Sequence, residues 1–219
     1  MKRIHQLIGG NLLCMCLFAS GLQAADGGAR YTPQPTGNKI GIAGTSSMHD
    51  WLVQGQIIGG TAEFGAGFST DPAQAKPGKV EAKVDTFIPV RALKSMKDGK
   101  PYSNAMDDIM YQHLKEAANK RITYKLTEMV LKEVPKAAGA PFLYDTKGDL
   151  TVAGTTKNVS MPVEMKVDGD KIRFSGKVDL KMTDFGVEPP APALAGGLIK
   201  TGDDIKISIE WGLRPAPKK

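Results

Sequence analysis

A period of two is the strongest constraint on what this chain can fold into. Ile172, Phe174, Val178, Leu180 and Met182 alternate with Lys171, Arg173, Ser175, Lys177, Asp179 and Lys181. Ile205, Ile207, Ile209 and Trp211 alternate with Lys206, Ser208 and Glu210, and Val80, Ala82, Val84, Thr86, Ile88 and Val90 oppose Glu81, Lys83 and Asp85. Successive side chains of a strand point to opposite faces, so this pattern describes strands with one face on a core and the other in water.

Weaker alternation fills the intervals: Ile40 and Ile42; Trp51, Val53 and Ile57; Ile122, Tyr124 and Leu126; Phe142, Tyr144, Leu150 and Val152; Val159, Met161, Val163 and Met165. Turn residues separate the runs, among them Asp168-Gly169-Asp170, a tight hairpin. The count comes to about eight strands. One segment breaks the period. Between residues 103 and 118, Met106, Ile109, Met110, His113 and Leu114 fall at helical spacing, with Ser103 as N-cap, Asp107 and Asp108 in the first turn and Lys115 at the end. A single amphipathic helix is therefore expected between the third and fourth strands. Antiparallel strands with one apolar face make a sandwich or a barrel. An eight-stranded barrel is just wide enough to be filled by side chains or to hold one small ligand. Pro89 and Pro162 remove hydrogen-bond donors, so bulges or a barrel seam are expected there.

The N-terminus bears on compartment. Lys2 and Arg3, the apolar run Leu7 to Phe18 and the ending Leu22-Gln23-Ala24 have the layout of a cleavable signal peptide over residues 1–24. The apolar run is about a dozen residues, short of the roughly 20 needed to cross a bilayer. Export into the periplasm follows if the source is Gram-negative. Both cysteines, Cys14 and Cys16, lie in this peptide, so the mature chain is expected to have no disulfide, thiolate metal site or cysteine nucleophile. Removing Lys2 and Arg3 leaves 27 basic against 23 acidic residues, a net charge of +4. No Lys/Arg block marks a nucleic-acid surface. Residues 25–37, rich in Gly and Pro, read as a flexible leader. Residues 38–213 form one domain, and 214–219 a polar tail.

The motifs of enzymes are missing. Asp184-Phe185-Gly186 is the tripeptide that carries a magnesium ligand in protein kinases, but the chain has no His-Arg-Asp loop and no Gly-x-Gly-x-x-Gly. His49-Asp50 and Asp107-Asp108 do not have the spacing of a metal site, and neighbouring strand residues point opposite ways. No Gly-x-Ser-x-Gly elbow appears. The reading is therefore no catalytic residue, no metal and no cofactor. Asp184 and Gly186 are expected as turn residues and Phe185 as an apolar plug, at the start of a Pro- and Gly-rich loop that runs to Asp203. Methionine is frequent in the patterned segments, which suits an irregular core or an adaptable apolar pocket.

Several stretches in order carry a resemblance. Gly44-Thr45-Ser46-Ser47-Met48-His49-Asp50-Trp51, Ile88-Pro89-Val90-Arg91-Ala92-Leu93-Lys94-Ser95, Met106-Asp107 with Met110-Tyr111 and Leu114-Lys115, Gly148 to Lys157, and Met182 to Val187 followed by Pro189-Pro190 and Lys200 to Asp203 are similar to motifs of the YceI-like family of exported lipid-binding proteins, in its His-Asp-Trp branch. The resemblance spans residues 38–213. It departs from better-known members at Lys94 to Gly99, where they carry a His-Leu segment. It implies an all-β, eight-stranded antiparallel lipocalin-like barrel whose apolar interior takes a polyisoprenoid or another amphipathic lipid, an isoprenoid quinone included.

Strand parity then gives a candidate lining: Ile40, Ile42, Trp51, Val84, Ile88, Tyr124, Leu126, Phe142, Met161, Met165, Phe174 and Leu180, with Met106, Ile109, Met110 and Phe185 closing one end. The expected partner is the lipid, with transient membrane contact and a monomer or homodimer as assembly. The competing reading is a non-enzymatic envelope stress or interaction module whose core is filled by side chains.

Overall fold

The computed structural model describes residues 28–191 and 199–217. The signal peptide expected over 1–24 lies outside them. The strands are β1 (Ala29–Pro33), β2 (Lys39–Ser46), β3 (Trp51–Gly55), β4 (Gly59–Phe64), β5 (Gly78–Lys79), β6 (Ala82–Pro89), β7 (Lys94–Lys97), β8 (Lys100–Pro101), β9 (Arg121–Glu133), β10 (Phe142–Val152), β11 (Thr155–Asp168), β12 (Lys171–Lys181) and β13 (Thr201–Pro215). The helix α1 (Asn104–His113) falls between β8 and β9.

The chain closes into an eight-stranded antiparallel barrel with one helix. The ring runs β1–β4–β6–β9–β10–β11–β12–β13 and returns to β1 through Tyr31 opposite Pro215 and Thr32 opposite Arg214. β1 and β2 are two halves of the first long strand, and β3 and β4 two halves of the second. In the other halves, β13 pairs with β2, β2 with β3, and β3 with β7. Closure pairs the ring strands on both sides in the half that holds β1 and β4, which removes the liability of unpaired backbone groups there, while β11 before Val163 has no pairing with β12.

The third long strand is β6 and the fourth β9, so the helix sits where the periodicity placed it. Ser103 Oγ accepts the Met106 N–H, and the helix stops at Leu114, before Lys115 turns to a positive φ of 52°. Near this end β6 gives way to a 3-10 turn at Val90–Ala92, and β7, β8 and α1 occupy the side of the barrel between β3 and β9.

At the opposite end the interior is solid. Phe142, Tyr144, Leu131, Met165, Ile172 and Leu213 are buried. Phe64 stacks on Phe68 at 4.2 Å, and Tyr31, Phe174 and Tyr144 extend the ring contacts at centroid distances of 5.8 to 6.3 Å. Such contacts favour one rigid arrangement beyond the area they bury. They form a floor.

Four expectations need correction. Residues 29–33 of the supposed flexible leader are strand β1, because β4 and β13 supply hydrogen-bonding partners on both sides and Tyr31 is buried. Arg214 and Pro215 of the supposed polar tail pair with β1 and end β13. The register irregularities lie between β9 and β10 and at Thr201 to Ile205, so neither Pro89 nor Pro162 makes a bulge, but the β11–β12 pairing ends at Pro162, which is the seam expected there. Pro89 ends β6, and Pro162 runs opposite Asp145 in an unbroken β10–β11 ladder; β11 pairs with β12 only from Val163 onward. Finally, Ile57 is exposed, and Ile58 is buried in its place at the bend between β3 and β4.

Candidate functional site: an apolar cavity in the barrel

Above the floor the barrel encloses a cavity of about 850 Å³. The long strands send alternate side chains into it, Ile205, Ile207 and Ile209 from β13 for example, while Lys206 and Ser208 face outward. Volumes of ~300–1,000 Å³ enclose most of the surface of a drug-sized molecule. Among the described residues, the charged side chains on the wall are Asp50 and Lys97, both exposed at the rim.

Of the residues expected to line the interior, Ile40, Ile42, Trp51, Val84, Ile88, Tyr124, Leu126, Met161, Phe174 and Leu180 lie on the cavity wall, and Met106, Ile109, Met110 and Phe185 lie on it at the helix-bearing end. Phe142 and Met165 do not. Both point inward, as parity required, but they sit in the packed floor at 2% and 0% exposure. Sequence reasoning omitted Ile205, Ile207, Ile209 and Trp211 from the lining, although their alternation was among the clearest in the chain.

Local chemistry fixes the mouth. The Trp51 indole N–H donates to the Thr45 carbonyl at 3.0 Å, and the ring lies over Gly44, where a Cβ would run into it. His49 Nδ1 meets the carbonyl of Asp50 at 2.8 Å, and His113 Nδ1 that of Glu188 at 2.8 Å. These contacts tie loop to strand and helix to loop; they do not assemble a base and a nucleophile. No group of three or more His, Cys, Asp or Glu side chains suited to a metal ion occurs among the described residues.

The helix is fastened from outside the cavity. Asp107, 3% exposed, accepts the Ser95 backbone N–H at 2.7 Å and pairs with Lys94 Nζ at 3.1 Å. Tyr111 donates its hydroxyl to Leu93 O at 2.8 Å. Glu116 takes Arg91 at 3.0 Å and Lys120 at 3.1 Å. Helix α1 is thereby free to turn Met106, Ile109 and Met110 toward the cavity.

The Asp-Phe-Gly tripeptide has a structural explanation. Thr183–Phe185 is a 3-10 turn, ended by Gly186 at a φ of +63°, a conformation that suits glycine. Asp203 receives the Thr183 N–H at 2.9 Å and the Thr183 hydroxyl at 2.6 Å, and these bonds, the hydroxyl's above all, hold its carboxyl below the usual range. Asp184 is exposed and Phe185 buried. The central part of that Pro- and Gly-rich loop, residues 192–198, lies outside the described residues.

With closed barrel, floor and cavity in place, the sequence matches the family model of the YceI-like domain over residues 31–212. The chain belongs to the YceI-like domain family. Solved structures similar to it include Burkholderia cenocepacia BcnA, at 15% identity and a TM-score of 0.56, over 80% of this chain and 95% of that one. A polyisoprenoid-binding domain from Saccharophagus degradans, implicated in plant cell wall breakdown, matches at 12% identity and a TM-score of 0.60, over 85% and 98%. A Campylobacter jejuni YceI protein matches at 19% identity and a TM-score of 0.51, over 74% and 82%. At these identities the likeness is one of fold. No curated protein matches significantly.

Proposed function

We propose that this YceI-like protein is exported by its signal peptide into the periplasm and holds one polyisoprenoid or similar amphipathic lipid inside the barrel, as a binding protein and not an enzyme. The observation that carries the reading is the cavity, about 850 Å³ of apolar space that side chains leave unfilled above a solid floor. It counts against the competing reading of a filled interaction module. Burial supplies the affinity, at about 0.8 kcal/mol per methylene removed from water. The mouth suits loading from a bilayer: Met48, Leu52 and Tyr102, all on the wall, are 66%, 36% and 51% exposed. A solved relative of the fold is a polyisoprenoid-binding domain, which agrees with this ligand class.

Native mass spectrometry of the purified mature protein, before and after organic extraction, tests the proposal, together with quenching of Trp51 and Trp211 by added isoprenoids. The expected result is an adduct lost on extraction and a saturable quench. A ligand-free mass with no quenching overturns it.

A further inference from the structure

The cavity wall is apolar but carries two orphaned donors. Trp211 is 5% exposed and its Nε1–H has no hydrogen-bond partner. Tyr124 Oη is likewise buried and without partner. Both residues line the cavity. Trp211 lies opposite Phe174, which touches the aromatic floor, so its donor is deep. Tyr124 lies with its ring over Gly148, where a Cβ would collide with it. Burial pushes the Tyr124 phenol up, with a smaller opposing pull from the Thr146 hydroxyl, so it keeps its proton at neutral pH. No hydrogen bond of proper geometry joins the Tyr124 hydroxyl to the Thr146 oxygen, which itself donates to Met161 O at 2.7 Å.

A buried donor with nothing to bond costs about 1–3 kcal/mol, and a phenylalanine at either position would avoid that cost. Pure hydrocarbon would leave both donors unsatisfied. A lipid with an oxygen facing either donor would satisfy that one. We propose that Trp211 Nε1 and Tyr124 Oη, on facing walls of the barrel, are two separate hydrogen-bonding points of the cavity, each suited to a carbonyl oxygen of the bound lipid, so the barrel selects carbonyl-bearing lipids over hydrocarbons. The two points rest on the lipid-holding reading and add a chemical filter to it. Trp51 takes no part, because its indole N–H is already bonded to Thr45 O.

The probes are 2-tridecanone and tridecane, matched in chain length, competing with N-phenyl-1-naphthylamine for the mature protein. Wild type is expected to bind the ketone about fivefold or more tightly than the alkane, as one or two net hydrogen bonds allow. Trp211→Phe and Tyr124→Phe each cut ketone affinity about fivefold and leave the alkane unchanged. In ¹⁵N-labelled protein the Trp211 indole N–H resonance shifts with the ketone, while that of Trp51 stays in place as internal reference. Equal affinity of wild type for both probes overturns the two hydrogen-bonding points and leaves the lipid-holding reading intact. So does an equal loss of both probes in the variants, which would mark a packing role. Failure of both probes to displace the dye overturns both readings together.

Discussion

Phe185 closes the opening that begins at Pro162 in the barrel wall. Pro162 has no N–H to give, and β11 pairs with β12 only from Val163 onward, so the two strands separate toward the helix-bearing end. The cluster of Phe185, Val187 and Ala153 is packed against Val159 of β11 and Leu180 of β12. Phe185→Ala removes the plug from a site only 3% exposed. The expected loss is about 3 kcal/mol of unfolding free energy in urea, at the low end for a buried phenylalanine, with faster release of a bound fluorescent lipid. Phe185→Leu should lose less than half as much. An unchanged release rate in Phe185→Ala would remove its gating role.

The helix should loosen in acid. For Asp107, burial alone would raise the carboxyl's pKa, but the Ser95 N–H and hydroxyl and the Lys94 ammonium together outweigh it, and the net shift is downward. A carboxylate with a depressed folded pKa adds stability that is present above its unfolded value, about 3.9, and is lost as pH falls through the folded one. Protection of the α1 amides, measured against the intrinsic exchange rate at each pH, should therefore fall below about pH 4. Asp107→Asn should flatten that dependence, while Asp107→Ala should cost about 1–3 kcal/mol at pH 7 by leaving the Ser95 N–H unpaired. A wild-type protection in α1 that does not vary across this range would contradict the assignment.

Much of this architecture is legible in the sequence, and the misses have physical causes. Alternation reads the face of a strand, so Leu126, Met161 and Phe174 point inward as expected. It carries no information on height along the barrel. Phe142 and Met165 also point inward, yet they lie in the floor. A bend shifts parity by one residue, which is why Ile58 and not Ile57 is buried. Strand β1 left no local signal, since a five-residue segment with one buried side chain takes its pairing from distant β4 and β13. The unpaired N–H of Trp211 is a property of its neighbours and appears in no pattern of the chain.

Wall and floor should respond differently to mutation. Ile207 borders open volume, so Ile207→Trp should fill the cavity and weaken binding of an isoprenoid about tenfold or more, with little of the ~1–3 kcal/mol that overpacking costs in a tight core. Phe142→Ala opens a hole in a packed region and should cost about 3–5 kcal/mol, with bound-state affinity nearly unchanged. Titration and urea denaturation of both variants separate the two regions. Comparable effects of both substitutions on binding would mean that the floor is part of the pocket.

The pairing of Gly44 with Trp51 sets the mouth. The indole lies against the Gly44 backbone, so a methyl group there must displace either the ring or strand β2. Gly44→Ala should cost about 1–3 kcal/mol, the usual range for forced overpacking, and should break the 3.0 Å bond from Trp51 Nε1 to Thr45 O. The freed indole would show a shifted fluorescence maximum and an altered ¹⁵N indole resonance. Trp51→Phe in the Gly44→Ala background removes the collision partner's larger ring, so the double variant should lose less stability than the two single losses add up to. Additive losses would show that the glycine serves the β2 backbone and not the tryptophan.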